Sequence, residues 1–153
     1  MKMKYRLHSY LLFCVIALSY SQVSFAIKPV YSGGPERAAV RGYDVVAYFT
    51  KNAPTKGVEK YSTSHLGATW FFSSPTNKAL FIANPDKYMP QFGGYCAYAV
   101  AKNSSASIKP KYFTIYENKL YLNYSKSVHK KWIKDKDGYI SSAKKNWQGL
   151  LNK

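Results

Sequence analysis

The stretch ATWFFSSPTNKALFIANP, Ala68 to Pro85, decides the fold class because it passes from one kind of backbone to another without a linker between them. Its first part, ATWFFSS, has the aromatic composition of a β-strand. Ser74 then offers an oxygen to cap a helix, and Pro75 suits the first helical position, where its missing N–H is no loss. The helix should run through TNKALFIA, with Ala79, Leu80 and Phe81 as its apolar stripe, until Asn84-Pro85 breaks it.

Toward the C-terminus, a second short helix starting at Pro85 should carry Tyr88 and Met89 to the core before Pro90 and Gly93-Gly94 stop it. The glycine pair permits positive φ and places Cys96 just past a tight turn. KYFTIYENKLYLNY, residues 111–124, reads as a β-hairpin about Glu117-Asn118, with Phe113 and Ile115 alternating against Tyr112, Thr114 and Tyr116. Ser125 then caps a helix in which Val128 and Trp132 sit four apart on one face. Gly138 separates it from a last helix holding Ile140, Ala143, Trp147 and Leu150 or Leu151.

Toward the N-terminus, RGYDVVAYFT contains a β-branched and aromatic run from Val45 to Phe49, read as a strand or extended segment ended by the turn-like KNAPTKG. IKPVYSGGPERAAV, residues 27–40, has two prolines and a Gly-Gly pair without a period, the mark of a linker or loosely packed N-terminal arm. Order is expected from about Arg41. Short antiparallel strands with peripheral helices make a small single domain of the α+β class.

Residues 1–26 read as a secretory signal peptide: Lys2, Lys4 and Arg6, an apolar run from Leu11 to Leu18, then the small residues Ser24 and Ala26. The run is shorter than the roughly 20 residues a membrane span needs. A lipoprotein signal ending at Cys14 is disfavoured by the bulky Phe13 before it. Cleavage near Ala26 would leave 127 residues without a transmembrane segment, in the periplasm or outside the cell, divided into the arm 27–40 and a domain over 41–151.

Without the three basic residues of the signal, 20 basic side chains face 7 acidic ones, a net charge of +13. Export lowers the expectation of nucleic acid as a partner and leaves anionic envelope surfaces as candidates. The densest clusters, Lys109 to Lys111 and His129 to Lys131, are small, and a solvated basic surface accounts for most of the charge. Loss of Cys14 leaves Cys96 alone, so no disulfide staples the fold.

The segments VRGYDVVAYF, ATWFFSSPTNKALFIANPDKYMPQFGGYCAYAVA and KLYLNYSKSVHKKWIKD together resemble the exported branch of the YHS-domain family, over Val40 to Leu151. The resemblance implies a small α+β module and, from relatives in metal transport and metal response, the handling of soft metals such as copper. It also exposes a departure. Where metal-binding relatives carry cysteines, this chain has Ala47, Ser73 and Asn77, which are poor ligands for a soft cation.

Cys96 is the leading candidate site residue, to be weighed against burial as a small hydrophobe among Tyr95, Ala97, Tyr98 and Val100. A metal set of Cys96, Met89 and one of His65 or His129 would suit Cu(I) if folding brought them together. His65 lies in the turn-like STSHLG and His129 on a helix beside two lysines, positions that favour exposure. Tyr43, Asp44, Tyr48, Tyr95, Tyr98 and Tyr124 are candidates to line a pocket, although Asp44 also suits a turn cap or a partner for Arg41. No paired carboxylates, phosphate loop, nucleophile elbow or zinc-protease motif is present, so no catalytic residue is assigned and an enzyme is disfavoured. The expected function is a binding module for a soft metal ion or small ligand near Cys96. The alternatives are a basic envelope-interaction protein with a structural Cys96, and a thiol redox protein.

Overall fold

The computed structural model of the chain describes residues 26–152, so all of the expected signal peptide except Ala26 lies outside the described residues. The element order is α1 (Val45–Thr50), β1 (Val58–His65), β2 (Ala68–Phe72), α2 (Pro75–Ala83), α3 (Pro85–Tyr88), α4 (Ala97–Ala101), β3 (Phe113–Tyr116), β4 (Lys119–Leu122), α5 (Lys126–Lys134) and α6 (Lys136–Leu151). Two antiparallel two-stranded sheets, β1-β2 and β3-β4, are flanked by these helices, which makes the fold α+β. Among the described residues no helix is long and apolar enough to cross a membrane.

The strand-to-helix passage from Ala68 forms as its residues dictate. Trp70 and Phe72 turn inward from β2, Ser74 Oγ accepts from the Asn77 N–H, and Pro75 opens α2. The buried face of α2 differs from the expected stripe: Ala79 and Leu80 are exposed, and Asn77 and Phe81, one helical turn apart, face inward. Phe81 meets both Trp70 and Phe72, with centroids 5.0 and 5.1 Å away. Leu80 is directed outward because the sheet lies on the Asn77–Phe81 side.

Two other expectations are corrected, and one strand is found where the sequence suggested none. Val45 to Phe49 is helical, because Asp44 caps it: the carboxylate accepts from the N–H groups of Val46 and Ala47. The β-branched pair argued for a strand, and the cap outweighs it. A strand runs over Val58–His65, where the polar sequence VEKYSTSH carries no apolar alternation, and a bulge between Val58 and Ser62 interrupts its register. Gly138 lies inside α6, one turn from Asp135, which caps the helix by accepting from the Gly138 N–H. A Cβ at Gly138 would collide with that carboxylate.

The segment expected as a linker is packed. Val30, Ala38, Ala39 and Val40 are buried, the Tyr31 N–H donates to the Gly93 carbonyl at 2.9 Å, and the Val40 N–H donates to the Tyr31 carbonyl at 3.1 Å. The arm thereby joins two left-handed turns. In one, Val40, Arg41 and Gly42 have φ of 51, 58 and 75°; in the other, Phe92, Gly93 and Gly94 have 55, 59 and 82°. A β-branched residue in this region is strained, and burial of Val40 holds it there. The turns touch: a Cβ built on Gly94 would lie 3.3 Å from Val40 Cγ2.

The C-terminal half follows its sequence closely. β3 and β4 pair from Phe113 with Leu122 to Tyr116 with Lys119, about a Glu117-Asn118 turn with positive φ at both residues. Ser125 caps α5, and Trp132 is buried against Tyr121 at 5.3 Å. Ile140, Ala143 and Leu150 bury one face of α6 in the same cluster as Val100 and Phe92.

Candidate functional site

Asp44 is fully buried, and its carboxylate accepts five hydrogen bonds, all from neutral donors. Oδ1 takes the N–H groups of Val46 at 2.9 Å and Ala47 at 3.2 Å. Oδ2 takes the Ser73 N–H at 2.8 Å, the Ser73 hydroxyl at 2.6 Å and the Asn77 amide at 2.7 Å. A buried charge is tolerable only when its lone pairs are satisfied in this way. Asp44 is therefore a helix cap and a tie between α1 and α2, in place of the turn cap or Arg41 partner considered from sequence. Ala47, Ser73 and Asn77, the three positions singled out by the family resemblance, all donate to this one carboxylate. Their donors are spent on it.

Cys96 is 1% exposed, just beyond the left-handed turn that begins at Phe92. Its thiol donates to Asn123 Oδ1 at 3.7 Å, and burial pushes its pKa up, against the smaller lowering effect of backbone N–H groups of Ala99, Tyr124 and Tyr98. The Asn123 Nδ2 atom has no hydrogen-bond partner among the described residues. This is the environment of an inert thiol, since reactivity follows the thiolate.

The other metal candidates each make contacts of their own. His65 ends β1 and meets Phe81 edge-on at 5.7 Å. His129 is half-buried on α5, with Nε2 3.0 Å from the Thr114 hydroxyl; burial lowers its pKa. Its expected exposure is reduced because the ring sits against the Thr114 hydroxyl and the Tyr112 ring. Met89 lies beside Pro90 and Trp147. Among the described residues, no group of three or more His, Cys, Asp or Glu side chains could hold a metal ion.

Of the pocket candidates, Tyr43 and Tyr124 line one open cleft of about 580 Å³. Arg41, Lys56, Lys109, Glu36 and Ser107 line it with them. Tyr48 lies beneath, donating its hydroxyl to the Pro110 carbonyl at 3.1 Å, and burial raises its pKa. Asp44 is fully buried and is not among the lining residues. Tyr95 packs on Tyr31 and Trp147, and Tyr98 on Tyr139, so neither joins Tyr43. Cys96 is not among the lining residues.

The cleft wall is set by main chain. The Asp44 N–H donates to the Thr55 carbonyl and the Gly57 N–H to the Gly42 carbonyl, both at 2.9 Å, pairing residues 42–44 with 55–57. A side chain at Gly57 would run into the Phe71 backbone, so glycine is what lets residues 55–57 lie close against β2. Lys56 Nζ then sits 2.7 Å from Glu36 Oε1, 3.3 Å from the Arg41 carbonyl oxygen and 5.2 Å from the Tyr43 ring centre. The Lys56 hydrogen bond is the main cause of the lowered Glu36 pKa. Three cations thus face one carboxylate, already engaged, and two phenols stand at the edges.

Sequence reasoning missed Lys56 altogether and treated Arg41, Glu36 and Lys109 as incidental. The one available signal was glycine beside a cation, at Arg41-Gly42 and Lys56-Gly57. Compared with known families, characterised proteins and solved structures, the chain has no match.

Proposed function

We propose that this chain is an exported YHS-type binding module that takes a small anionic ligand in the cleft between Tyr43 and Tyr124. The observation that carries the reading is the charge of that cleft: Arg41, Lys56 and Lys109 against Glu36 alone. Guanidinium and ammonium groups converging on a concave surface favour a carboxylate or phosphate, and two tyrosines at the edge can pack against its organic part. The strained φ of Arg41 adds weight, because strain in a backbone persists where the surroundings hold it and is common at ligand sites. The excess of basic residues elsewhere would draw anions toward the protein in a salt-dependent way.

The soft-metal and thiol-redox readings centred on Cys96 lose support from its burial and raised pKa. The Asp44 network likewise leaves Ser73 and Asn77 committed to a carboxylate rather than to a cation. The family resemblance is kept for the type of module, and the ligand chemistry is moved to the cleft.

The test is a titration with inorganic phosphate and with citrate at low salt, followed by backbone amide shifts. Saturable changes confined to residues 36–43, 56, 107–110 and 124, abolished in Arg41→Glu with Lys109→Glu, are the expected result. Weak, unsaturable shifts spread over every lysine would reject the reading.

A further inference from the structure

A second cavity, of about 260 Å³, shares no lining residue with the cationic cleft. The arm contributes Val30, the β1-β2 turn Leu66, the strand Trp70, and the end of the third helix Met89; Trp147 and Leu151 of α6 close it. These named side chains carry no charge. We propose that this cavity binds the tail of a free medium-chain fatty acid, with its carboxylate directed to Lys144.

Leu66 supplies the first argument. Leu66 and Gly67 form the two-residue loop between His65 and Ala68, with φ of 49 and 70°. Such a loop favours Asn, Asp or Gly at its first position, since other residues are strained there. Leu66 adopts this strained φ and lines the cavity while its side chain is 55% exposed. A chain lying in the cavity would cover that side chain.

Size and surroundings identify the occupant. The volume falls just below the roughly 300–1000 Å³ range that holds drug-sized ligands, which suits one unbranched chain of medium length. Indole rings and a thioether line it, surfaces that accept methylene groups without demanding a polar partner. A neighbouring depression of about 390 Å³ shares Met89, Pro90 and Trp147 with the cavity and is polar beyond them, lined by Gln91, Gln148, Lys144 and Asp86. Lys144 makes no ion pair among the described residues, although it also lines a depression with Glu117 and Asp137. The succession runs from apolar to polar with one cation and one carboxylate, and the net positive charge of the chain favours an anionic over a cationic head on an apolar tail. Asp86 opposes the head, which leaves Lys144, the one cation lining that depression among the described residues, as its partner.

Trp70 and Trp147 lie in the walls, so fatty acids from hexanoate to tetradecanoate, each below its micelle-forming concentration, can be titrated against the purified protein by tryptophan fluorescence. Affinity should rise about fourfold per added methylene and then level off when the chain fills the cavity. Leu66→Asn should weaken decanoate about fivefold while the thermal midpoint holds or rises, because asparagine relieves the turn. Lys144→Glu should weaken decanoate and leave decanol unchanged. An affinity that keeps climbing through tetradecanoate, an unaltered decanoate affinity in Leu66→Asn, or no saturable response would overturn the tail site. Equal losses for decanoate and decanol in Lys144→Glu would overturn the placement of the head.

Discussion

The Asp44 carboxylate and the Asn77 amide, 33 residues apart, meet at 2.7 Å in a site closed to water. One bond of this kind joins the first helix to the second, and four others hold the same carboxylate. An amide in its place would turn one acceptor into a donor facing the donors of Ser73 and Asn77. The Asp44→Asn variant should lose about 3 kcal/mol of stability, with little change in the denaturant slope, as read by urea unfolding.

The buried Cys96 thiol predicts slow chemistry. Alkylation of the native protein should be governed by opening of the fold, and Cys96→Ser should retain cleft binding. An alkylation rate near that of the unfolded chain at neutral pH would contradict the burial.

Stability should decline in alkali. Burial raises the pKa of Cys96 above its ordinary value of 9.0 and that of Tyr48 above 10.0. Both contributions are complete below those ordinary values and are lost as pH rises toward the folded-state values, because the unfolded chain releases its protons first. His129 has the opposite sign: its lowered pKa makes the unfolded chain take the proton first, so stability falls as pH drops below 6.5. Thermal midpoints measured across the pH range test both flanks.

Glu36 competes with any anion for Lys56. Glu36→Gln should therefore strengthen phosphate binding in the cleft by about threefold at low salt, and the gain should shrink at high salt. Calorimetry at two ionic strengths checks it, and a weakened variant would mean that Glu36 shapes the site for its ligand.

Gly93→Ala should detach the arm. Its φ of 59° disfavours a side chain, and a Cβ would strike the Pro29 carbonyl. Amide exchange at Tyr31 should accelerate sharply, with a smaller change in the β3-β4 hairpin.

What could be read in advance was local. Ser74 with Pro75, and Ser125 before Val128, announce helices through a bond made within four residues, and both form. The Glu117-Asn118 turn likewise carries its own backbone preference. The misread segments depend on distant partners. Val45 to Thr50 is helical because Asp44 is fixed from the far side by Ser73 and Asn77, which a window of neighbours cannot reveal. VEKYSTSH becomes a strand by pairing with β2, without an apolar rhythm of its own. The same limit hid the cleft: Arg41, Lys56 and Lys109 come from three segments distant in sequence, of which the first two are joined by main-chain hydrogen bonds. Tyr43 and Tyr124, both legible as pocket candidates, line that cleft, and Cys96 is not among its lining residues.

The Ile27 N–H donates to the Leu150 carbonyl at 3.3 Å, so the first edge of the described chain is completed by its last helix. Synthesis delivers these partners in sequence, and Val30 waits for Trp147 and Leu151 to be made before its surroundings exist. The late arrival of α6 makes closure of the arm a finishing step, and a nascent chain paused before that helix would present its greasy N-terminal side to chaperones.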